Sequence, residues 1–275
     1  MKVSIITASY NCENTIKETI ESIQNQTHKD WELIIVDDGS ADNSINVIEE
    51  YCKNDTRIKL YTHNNHQNKG LKKTLQLAIS KCNCEWIHFV ECDDILTPDS
   101  IEKKLDIIKQ YPEVSLIFSE VELFGNDEAI KELTPYINER KEVLSKESYP
   151  SKVIAKSPIL NLVPTFSCVM CKKECLQSCS FKSPIDAYLD WFLWSQMSKC
   201  NVYYINEKLT KWRISPNSYA NIFKERADKY KIKKYRLKIK QNIKHQPIIV
   251  YAVKKFLIIL SGILSKIFPK NNKKI

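Results

Sequence analysis

The 275-residue chain is 43% hydrophobic and 27% charged, a composition that excludes fibrous and largely disordered proteins and provides for one substantial core. Its four glycines are placed so that neither a GxGxxG dinucleotide loop nor a GxxxxGK[ST] phosphate loop can be written. The net charge of +9 is concentrated near the end, since residues 222–275 hold 16 Lys/Arg and 2 Asp/Glu.

The first 125 residues alternate between strand-like and helix-like segments. The apolar run KVSIITASY precedes a segment with Ile16, Ile20 and Ile23 at helical spacing, which Thr15 and Glu18 are expected to open as a capping box. The runs WELIIVDDGS, RIKLYTH, EWIHFVECDD and VSLIFSEVELF then alternate with further helical patterns. This succession predicts an α/β fold with a mainly parallel central sheet flanked by helices.

Carboxylates follow two of the predicted strands. Asp37 and Asp38 end one strand, and Glu91, Asp93 and Asp94 follow another. Ligands of parallel sheets bind beyond the carboxyl ends of the strands, so both groups are expected to face one crevice. Crowded carboxylates stay ionised only beside a positive charge, and Mg²⁺ or Mn²⁺ is commonly held by one or two carboxylates plus phosphate oxygens. The pattern therefore predicts a site for a metal diphosphate.

A structural alternative exists for the second group. Asp93 and Asp94 could form a turn, and TPDS could cap the next helix through Thr97 or Asp99. This alternative accounts for the capping residues but does not require the acids before them.

The cysteines call for a separate interpretation. Cys168, Cys171, Cys175 and Cys179 follow one another at helix-like spacing without a second knuckle, so a zinc cluster is less favoured than buried reduced thiols. The start of the chain lacks the pattern of a cleavable signal. We therefore expect a protein of the reducing cytosol.

The basic C-terminal segment favours a membrane surface. Its longest uncharged apolar stretch, residues 256–265, is shorter than the ~20 residues of a spanning helix. Flanking lysines indicate an amphipathic helix lying on anionic lipid. A basic helix that packs on the core and a nucleic-acid contact are the alternatives, although the apolar run has no use in binding nucleic acid.

At this point the sequence resembles a known family. The segments SIITASYN, ELIIVDDGSADNS, NKG, FVECDDILTPDSIEKK and YLDWFLW, in this order, are similar to those of family 2 inverting glycosyltransferases with the GT-A fold. The resemblance covers about residues 1–220, with a nucleotide-sugar-binding half (1–125) and an acceptor-binding half (126–220). Residues 221–275 would form a basic, amphipathic helical extension.

The resemblance also implies roles for individual residues. It implies a nucleotide-sugar donor, most often a UDP-sugar, and a Mn²⁺ or Mg²⁺ cofactor. Asp190 would be the general base, and Asp93 and Asp94 would hold the metal in a DXD-type element. Donor-nucleotide contacts would come from Thr7, Ala8, Tyr10, Asp38, Lys69 and Asp93, and further donor or acceptor contacts from Glu91, Trp191 and Arg213.

The chemistry of inversion is compatible with these residues. A single in-line displacement needs one carboxylate for the acceptor proton and one metal site for the departing diphosphate. Aromatic neighbours are expected to raise the proton affinity of Asp190, although a carboxylate at a helix N-terminus explains it equally well from spacing alone. Leu189 and Ser215 depart from the family pattern, which has Glu and His at those places.

The acceptor side is expected in residues 126–180. This stretch is polar, and we predict it to be irregular because Pro135, Pro150, Pro158 and Pro164 interrupt it. A lipid-linked saccharide at the cytoplasmic face of a membrane would suit the basic segment. A metal-dependent nucleotidyl or phosphoryl transferase, or a non-catalytic binder of membrane or nucleic acid, are the alternatives.

Overall fold

The structure of the protein, a computed structural model, describes residues 1–156, 160–185, 188–215 and 229–243. Strands and helices alternate through the first half of these residues, as the sequence predicts. The strands are β1 (Val3–Ser9), β2 (Trp31–Asp37), β3 (Ile58–Thr62), β4 (Trp86–Phe89), β5 (Ile95–Leu96), β6 (Val114–Gly125), β7 (Val169–Lys172) and β8 (Asn201–Ile214). The helices are α1 (Ile16–Gln24), α2 (Ser44–Asn54), α3 (Leu71–Lys81), α4 (Ser100–Gln110), α5 (Asp127–Leu144), α6 (Val153–Lys156), α7 (Lys173–Gln177), α8 (Leu189–Gln196) and α9 (Lys229–Asn242).

The strands form one sheet in the order β3-β2-β1-β4-β7-β6-β8-β5. The first four of these run parallel, with Ser9 of β1 opposite Asp37 of β2. The second half is mixed, because β7 is antiparallel to β4 and β6, and β5 is antiparallel to β8. The predicted α/β class is confirmed, and the parallel half brings the ends of β1 and β2 to one edge.

Helices cover both faces of the sheet. Ile16, Ile20 and Ile23 of α1 are fully buried in one apolar cluster, which α4 also joins. Leu75 and Ile79 of α3 belong to the cluster on the opposite face. The helical periodicity in the sequence is therefore the pattern of residues that cover the sheet.

The expected helix caps are wrong. Thr15 lies at the N-cap of α1, but its hydroxyl donates to the carbonyls of Cys12 and Cys92, while Glu18 binds Arg213. At α4 neither Thr97 nor Asp99 caps the helix, because the Thr97 hydroxyl donates to the Asp99 carboxylate. At α1 these side chains thus join distant segments, whereas at α4 the contact is local.

The prediction that residues 126–180 are irregular is wrong for α5. This helix runs through Pro135, and Asn126 caps it by accepting the N–H of Ala129 at 2.9 Å. Its buried residues Ile137 and Arg140 lie on one face at helical spacing. The proline count hid this periodicity, because a single Pro within a helix removes one hydrogen bond that packing can offset.

A buried ion pair holds α5 against the sheet. Arg140 of α5 donates to the carboxylate of Glu120 on β6, and both side chains are almost completely buried. The Tyr204 hydroxyl of β8 donates to the same carboxylate at 2.8 Å. Arg140 also donates to the carbonyl of Leu162 at 3.1 Å, so this pair fixes the segment that follows residue 159.

The described part of the C-terminal extension is α9, which packs on α8. Its residues Tyr235 and Ile239 are buried, and the Tyr235 hydroxyl donates to the carbonyl of Tyr188 at 2.7 Å. Residues 221–228 and 244–275 of the expected extension, including the apolar stretch 256–265, lie outside the described residues. Among the helices that the structure describes, none has the length and apolarity needed to cross a bilayer.

The four clustered cysteines lie on different elements. Cys168 ends a short 3-10 turn, Cys171 lies on β7 and Cys175 on α7. Cys168 and Cys171 are buried, and all ten cysteines are unpaired thiols. In the described ranges no set of three or more Cys, His, Asp or Glu side chains is arranged to hold a metal.

Candidate active site

The acidic residues after β2 have different environments. Asp37 accepts hydrogen bonds from the Ser9 hydroxyl, the Ser40 hydroxyl and the N–H groups of Gly39 and Ser40, at 2.5 to 3.0 Å. These contacts tie the loop after β1 to the loop after β2. Asp37 is therefore a structural residue of this edge of the sheet.

Asp38 is bound to the NKG segment. Its carboxylate accepts the backbone N–H groups of Lys69 at 2.7 Å and Gly70 at 2.9 Å. Gly39 permits this approach, because its φ is +78° and a Cβ there would lie 2.6 Å from the His66 carbonyl oxygen. The Lys69 ammonium binds Gln67 at the surface. The structure thus brings two segments of the expected donor site together through the backbone.

The remaining expected nucleotide contacts lie at the carboxyl end of β1. Thr7 is buried, and its hydroxyl has no hydrogen-bond partner within the part of the chain that the structure describes. Ala8 is half-buried, and Tyr10 is 51% exposed just beyond the strand. This edge therefore has an exposed ring beside the Asp38 loop.

The loop after β4 contains carboxylates that accept hydrogen bonds from residues much later in the chain. Asp94 is fully buried and accepts the Ser167 hydroxyl at 2.5 Å and the Arg213 N–H at 2.8 Å. Glu91 accepts the Thr165 hydroxyl. Burial, together with the charges of Glu91 and Asp93, raises the pKa of Asp94 well above its usual range. Burial followed by the charge of Asp93 raises the pKa of Glu91 to about 8.

Asp93 is the least engaged of these acids. In the described part of the chain its carboxylate is hydrogen-bonded only by its own backbone amide. Burial raises the pKa of Asp93, against the effects of that amide and of the Arg213 charge. Arg213 itself donates to the Asp93 carbonyl at 2.8 Å and to the Glu18 carboxylate at 2.6 Å. Arg213 therefore connects the loop to α1.

The donor set suits a hard divalent cation. As noted for the described ranges, no preassembled group of three metal-binding side chains exists. Mg²⁺ and Mn²⁺ need only one or two protein carboxylates when phosphate and water supply the rest. Asp93 meets this requirement, since its oxygens have acceptor capacity to spare, whereas both oxygens of Asp94 already accept hydrogen bonds.

Asp190 lies in the first turn of α8. Its Oδ2 accepts the side-chain amide of Asn161 at 2.7 Å. Burial raises the pKa of Asp190 to about 6, although the Trp191 N–H and the Asn161 amide lower it. The charge of Asp190 in turn raises the pKa of Glu91, which places the two carboxylates near each other. The half-buried Trp191 ring packs edge-on against Tyr235, with centroids 6.0 Å apart.

Several residues of this site were missed in the sequence. Thr165 and Ser167 hold the acids of the β4 loop, and Asn161 holds Asp190. All three lie in NLVPTFSC, where polar residues interrupt an apolar run without a helical or strand period. That interruption was the available signal.

The sheet and the helices that flank it form a fold of the GT-A class. The family model described as glycosyl transferase family 2 matches residues 4–173, and the chain belongs to this family. The Escherichia coli UDP-Glc:alpha-D-GlcNAc-diphosphoundecaprenol beta-1,3-glucosyltransferase WfgD is 29% identical over 227 residues, which cover 81% of each chain.

Solved structures support the fold. Staphylococcus aureus TarS 1-349 in complex with UDP superposes with a TM-score of 0.59 at 17% identity, covering 78% of this chain and 61% of that one. The Pyrobaculum calidifontis mannosyltransferase PcManGT, in complex with GDP-Man and Mn²⁺, has a TM-score of 0.55 at 13% identity, covering 86% and 68%. Several relatives are matched over only part of their own length: a Bacillus subtilis protein that is 37% identical over 111 residues is matched over 40% of this chain and 39% of its own length.

The raised pKa of Asp190 predicts a pH-dependent effect on stability. A folded-state pKa of about 6, above the ~3.9 of an unfolded aspartate, means that stability from this group is present at low pH and falls as pH rises through this window. Because asparagine does not ionise, Asp190→Asn should raise Tm at pH 8 and change it little at pH 4.

Asp55 supplies a control of opposite sign. The hydrogen bond from the Arg57 side chain lowers the pKa of Asp55 to about 2, so its stabilisation is present above pH 4 and is lost as pH falls. Asp55→Asn should therefore lower Tm at pH 8. Differential scanning calorimetry of both variants at the two pH values checks the pair, and an equal shift for Asp190→Asn at both would contradict the assignment.

Proposed function

We propose that this protein transfers a sugar from a nucleotide-diphosphate sugar, most simply a UDP-sugar, to a hydroxyl of a saccharide acceptor with inversion. The observation that carries the proposal is the set of acids around Glu91: Asp93, whose carboxylate has free acceptor capacity, and Asp190, whose pKa burial raises, both act on Glu91 through their charges. Membership of glycosyl transferase family 2 and the UDP-bound TarS neighbour support the donor class.

The donor end would be formed by residues 1–125. Tyr10 would border the nucleobase, with Thr7 and Ala8 beneath it and the Asp38–Lys69 junction beside it. Asp93 would hold Mn²⁺ or Mg²⁺, and Asp94 would position that loop through its own hydrogen bonds. The metal, when bound, would neutralise the charge of the departing diphosphate. Arg213 and Glu91 would keep the loop in place.

The acceptor end would be formed by residues 126–220. The acceptor hydroxyl oxygen would form a bond to the anomeric carbon while its proton passes to the Asp190 carboxylate. The bond from that carbon to the diphosphate oxygen breaks, and its electron pair leaves with the diphosphate. The face of Trp191 would border the sugar. With a pKa of about 6, Asp190 is ionised at neutral pH. This pKa is also near enough to neutral for the carboxylate to accept the proton of the acceptor hydroxyl.

The acceptor would be a lipid-linked saccharide at the cytoplasmic face of a membrane. The name of WfgD includes a diphosphoundecaprenol-linked sugar, which motivates this class of acceptor. The exposed side of α9 carries Lys234, Arg236 and Lys238 next to Leu237, which is 55% exposed. Such a basic face with an apolar residue suits the surface of anionic lipid, and the protein would bind there peripherally.

The proposed base predicts the pH dependence of activity. With UDP-sugar donors and undecaprenyl-diphosphate-linked GlcNAc as acceptor, kcat/KM should fall below pH 6 as Asp190 takes a proton. Asp190→Asn should lower kcat by about 10² to 10⁴. The products separate the alternatives, because a glycosyltransferase releases nucleoside diphosphate whereas a nucleotidyl transferase releases pyrophosphate. Turnover by Asp190→Asn at the wild-type rate would remove Asp190 from the role of base.

The proposed metal ligand predicts linked binding of donor and cation. In a thermal-shift panel of uridine, guanosine, cytidine and thymidine diphosphate sugars, one nucleotide should raise Tm more with Mn²⁺ than without it. Asp93→Asn should abolish the Mn²⁺-dependent increment. Asp106→Asn, a change of the same kind in the exposed side chain on α4, is the matched control. An undiminished increment in Asp93→Asn would place the metal elsewhere.

The membrane contact predicts binding to anionic vesicles. In a sedimentation assay the wild type should pellet with phosphatidylglycerol vesicles and stay in the supernatant with phosphatidylcholine vesicles. Replacing Lys234, Arg236 and Lys238 with Gln, or deleting residues 245–275, should weaken the binding. The same replacement at the exposed Lys17, Lys53 and Lys109 is the control for net charge alone. Equal losses in both triple variants, with no effect of the deletion, would refute a specific basic surface.

A further inference from the structure

The side chain of Asn161 is fixed on both sides of its amide. The Oδ1 atom accepts the N–H of Val163 at 3.3 Å, and the Nδ2 atom donates to Oδ2 of Asp190 at 2.7 Å. An asparagine amide can be assigned by its hydrogen-bond network, and here both ends agree. The Nδ2 group of Asn161, and not its Oδ1 atom, therefore faces Asp190.

The backbone around Asn161 is held by α5. The Tyr136 hydroxyl donates to the Asn161 carbonyl at 2.7 Å. Arg140, paired with Glu120, donates to the next carbonyl, that of Leu162, at 3.1 Å. Half-buried Tyr136 and fully buried Arg140, both on α5, thus anchor consecutive residues, and Asn161 is supported by a rigid element rather than by a free loop.

We propose that Asn161 is the positioning residue of Asp190, holding one carboxylate oxygen so that the carboxylate keeps a single orientation towards the acceptor and stays ionised at neutral pH. This inference rests on the proposed function, because it assigns a partner to the proposed base. A charge-assisted hydrogen bond to a carboxylate is stronger than a neutral one and favours the ionised form.

The other groups near Asp190 make this donor necessary. Glu91 faces Asp190 from the β4 loop and carries the same sign of charge when ionised. The phenols of Tyr136 on α5, Tyr188 before α8 and Tyr235 on α9 interact electrostatically with Asp190 and supply no positive charge. Against burial and a like charge, the named contributions that favour the carboxylate are amides, those of Asn161, Trp191 and Asp190 itself.

Asn161→Leu tests the proposal, because leucine has a similar shape and no donor. We expect the acid limb of kcat/KM to move up by about one pH unit, which is a tenfold change in the protonation equilibrium, and kcat/KM at pH 7 to fall about twofold because roughly half of Asp190 would then be protonated. Asn161→Gln, which keeps an amide donor, should recover part of both. Should the leucine variant fail to fold, Asn161→Ser withdraws the amide with a smaller side chain.

Asn242→Leu is the matched control. Asn242 lies on α9 and donates to the hydroxyl of Ser195 at 2.9 Å. Ser195 is on α8, the helix that carries Asp190. Asn242→Leu therefore removes a similar hydrogen bond to α8 that does not involve Asp190. This variant should keep the acid limb of the wild type. A titration of ¹³C-labelled aspartate carboxyls, with the Asp190 signal assigned by its loss in Asp190→Asn, measures the same shift without turnover.

The outcomes separate this inference from the proposed function. If Asp190→Asn is inactive while Asn161→Leu keeps the wild-type acid limb and Asp190 titration, Asn161 has no positioning role and the inference is overturned. The same holds if Asn242→Leu moves the acid limb as much as Asn161→Leu. If Asp190→Asn is fully active, the proposed base fails, and the inference fails with it even where the carboxyl titration responds to Asn161.

Discussion

The cost of burying several carboxylates at one edge of a sheet is the constraint on which the rest of this structure depends. Asp94 is fully buried, and an uncompensated charge at such depth is strongly unfavourable. The fold provides neutral donors instead of an ion pair: the Ser167 hydroxyl and the Arg213 backbone N–H for Asp94, and the Thr165 hydroxyl for Glu91. Because these donors come from segments far along the chain, the acidic loop is fixed only when the whole sheet has formed. The remaining negative charge favours a cation.

That compensation explains the less regular half of the chain. The segment that supplies Asn161, Thr165 and Ser167 has little secondary structure of its own and depends on α5. The buried ion pair of Arg140 and Glu120 therefore serves to hold that segment in position. A buried ion pair is weak evidence for added stability, but it strongly specifies one arrangement when both partners have further hydrogen bonds, as these do.

The parts of the fold that follow from local periodicity could be predicted, and those that follow from distant contacts could not. The helical spacing of Ile16, Ile20 and Ile23 predicts that they are buried, as they are. The parallel half of the sheet follows from the alternation of strands and helices along the chain. The antiparallel strand β7 has no such signal, and in α5 the helical periodicity is interrupted by Pro135. Within the site, the sequence indicates which acids lie at strand ends. It does not indicate that the Asp37 carboxylate accepts hydrogen bonds from Ser9 and Ser40, because these contacts depend on how the chain brings the two serines together.

Helices α8 and α9 both lie beyond the part of the chain that the family model matches, and α9 packs on α8, which carries Asp190. Tyr188, the residue before α8, has a left-handed backbone with φ of 57°, a conformation that costs energy for a non-glycine residue. The Tyr235 hydroxyl donates to the carbonyl of this same residue, and its ring packs against Trp191 and Phe192. The turn that precedes Asp190 is thus held in its left-handed conformation by Tyr235, a residue of the helix whose exposed side carries Lys234, Arg236 and Lys238.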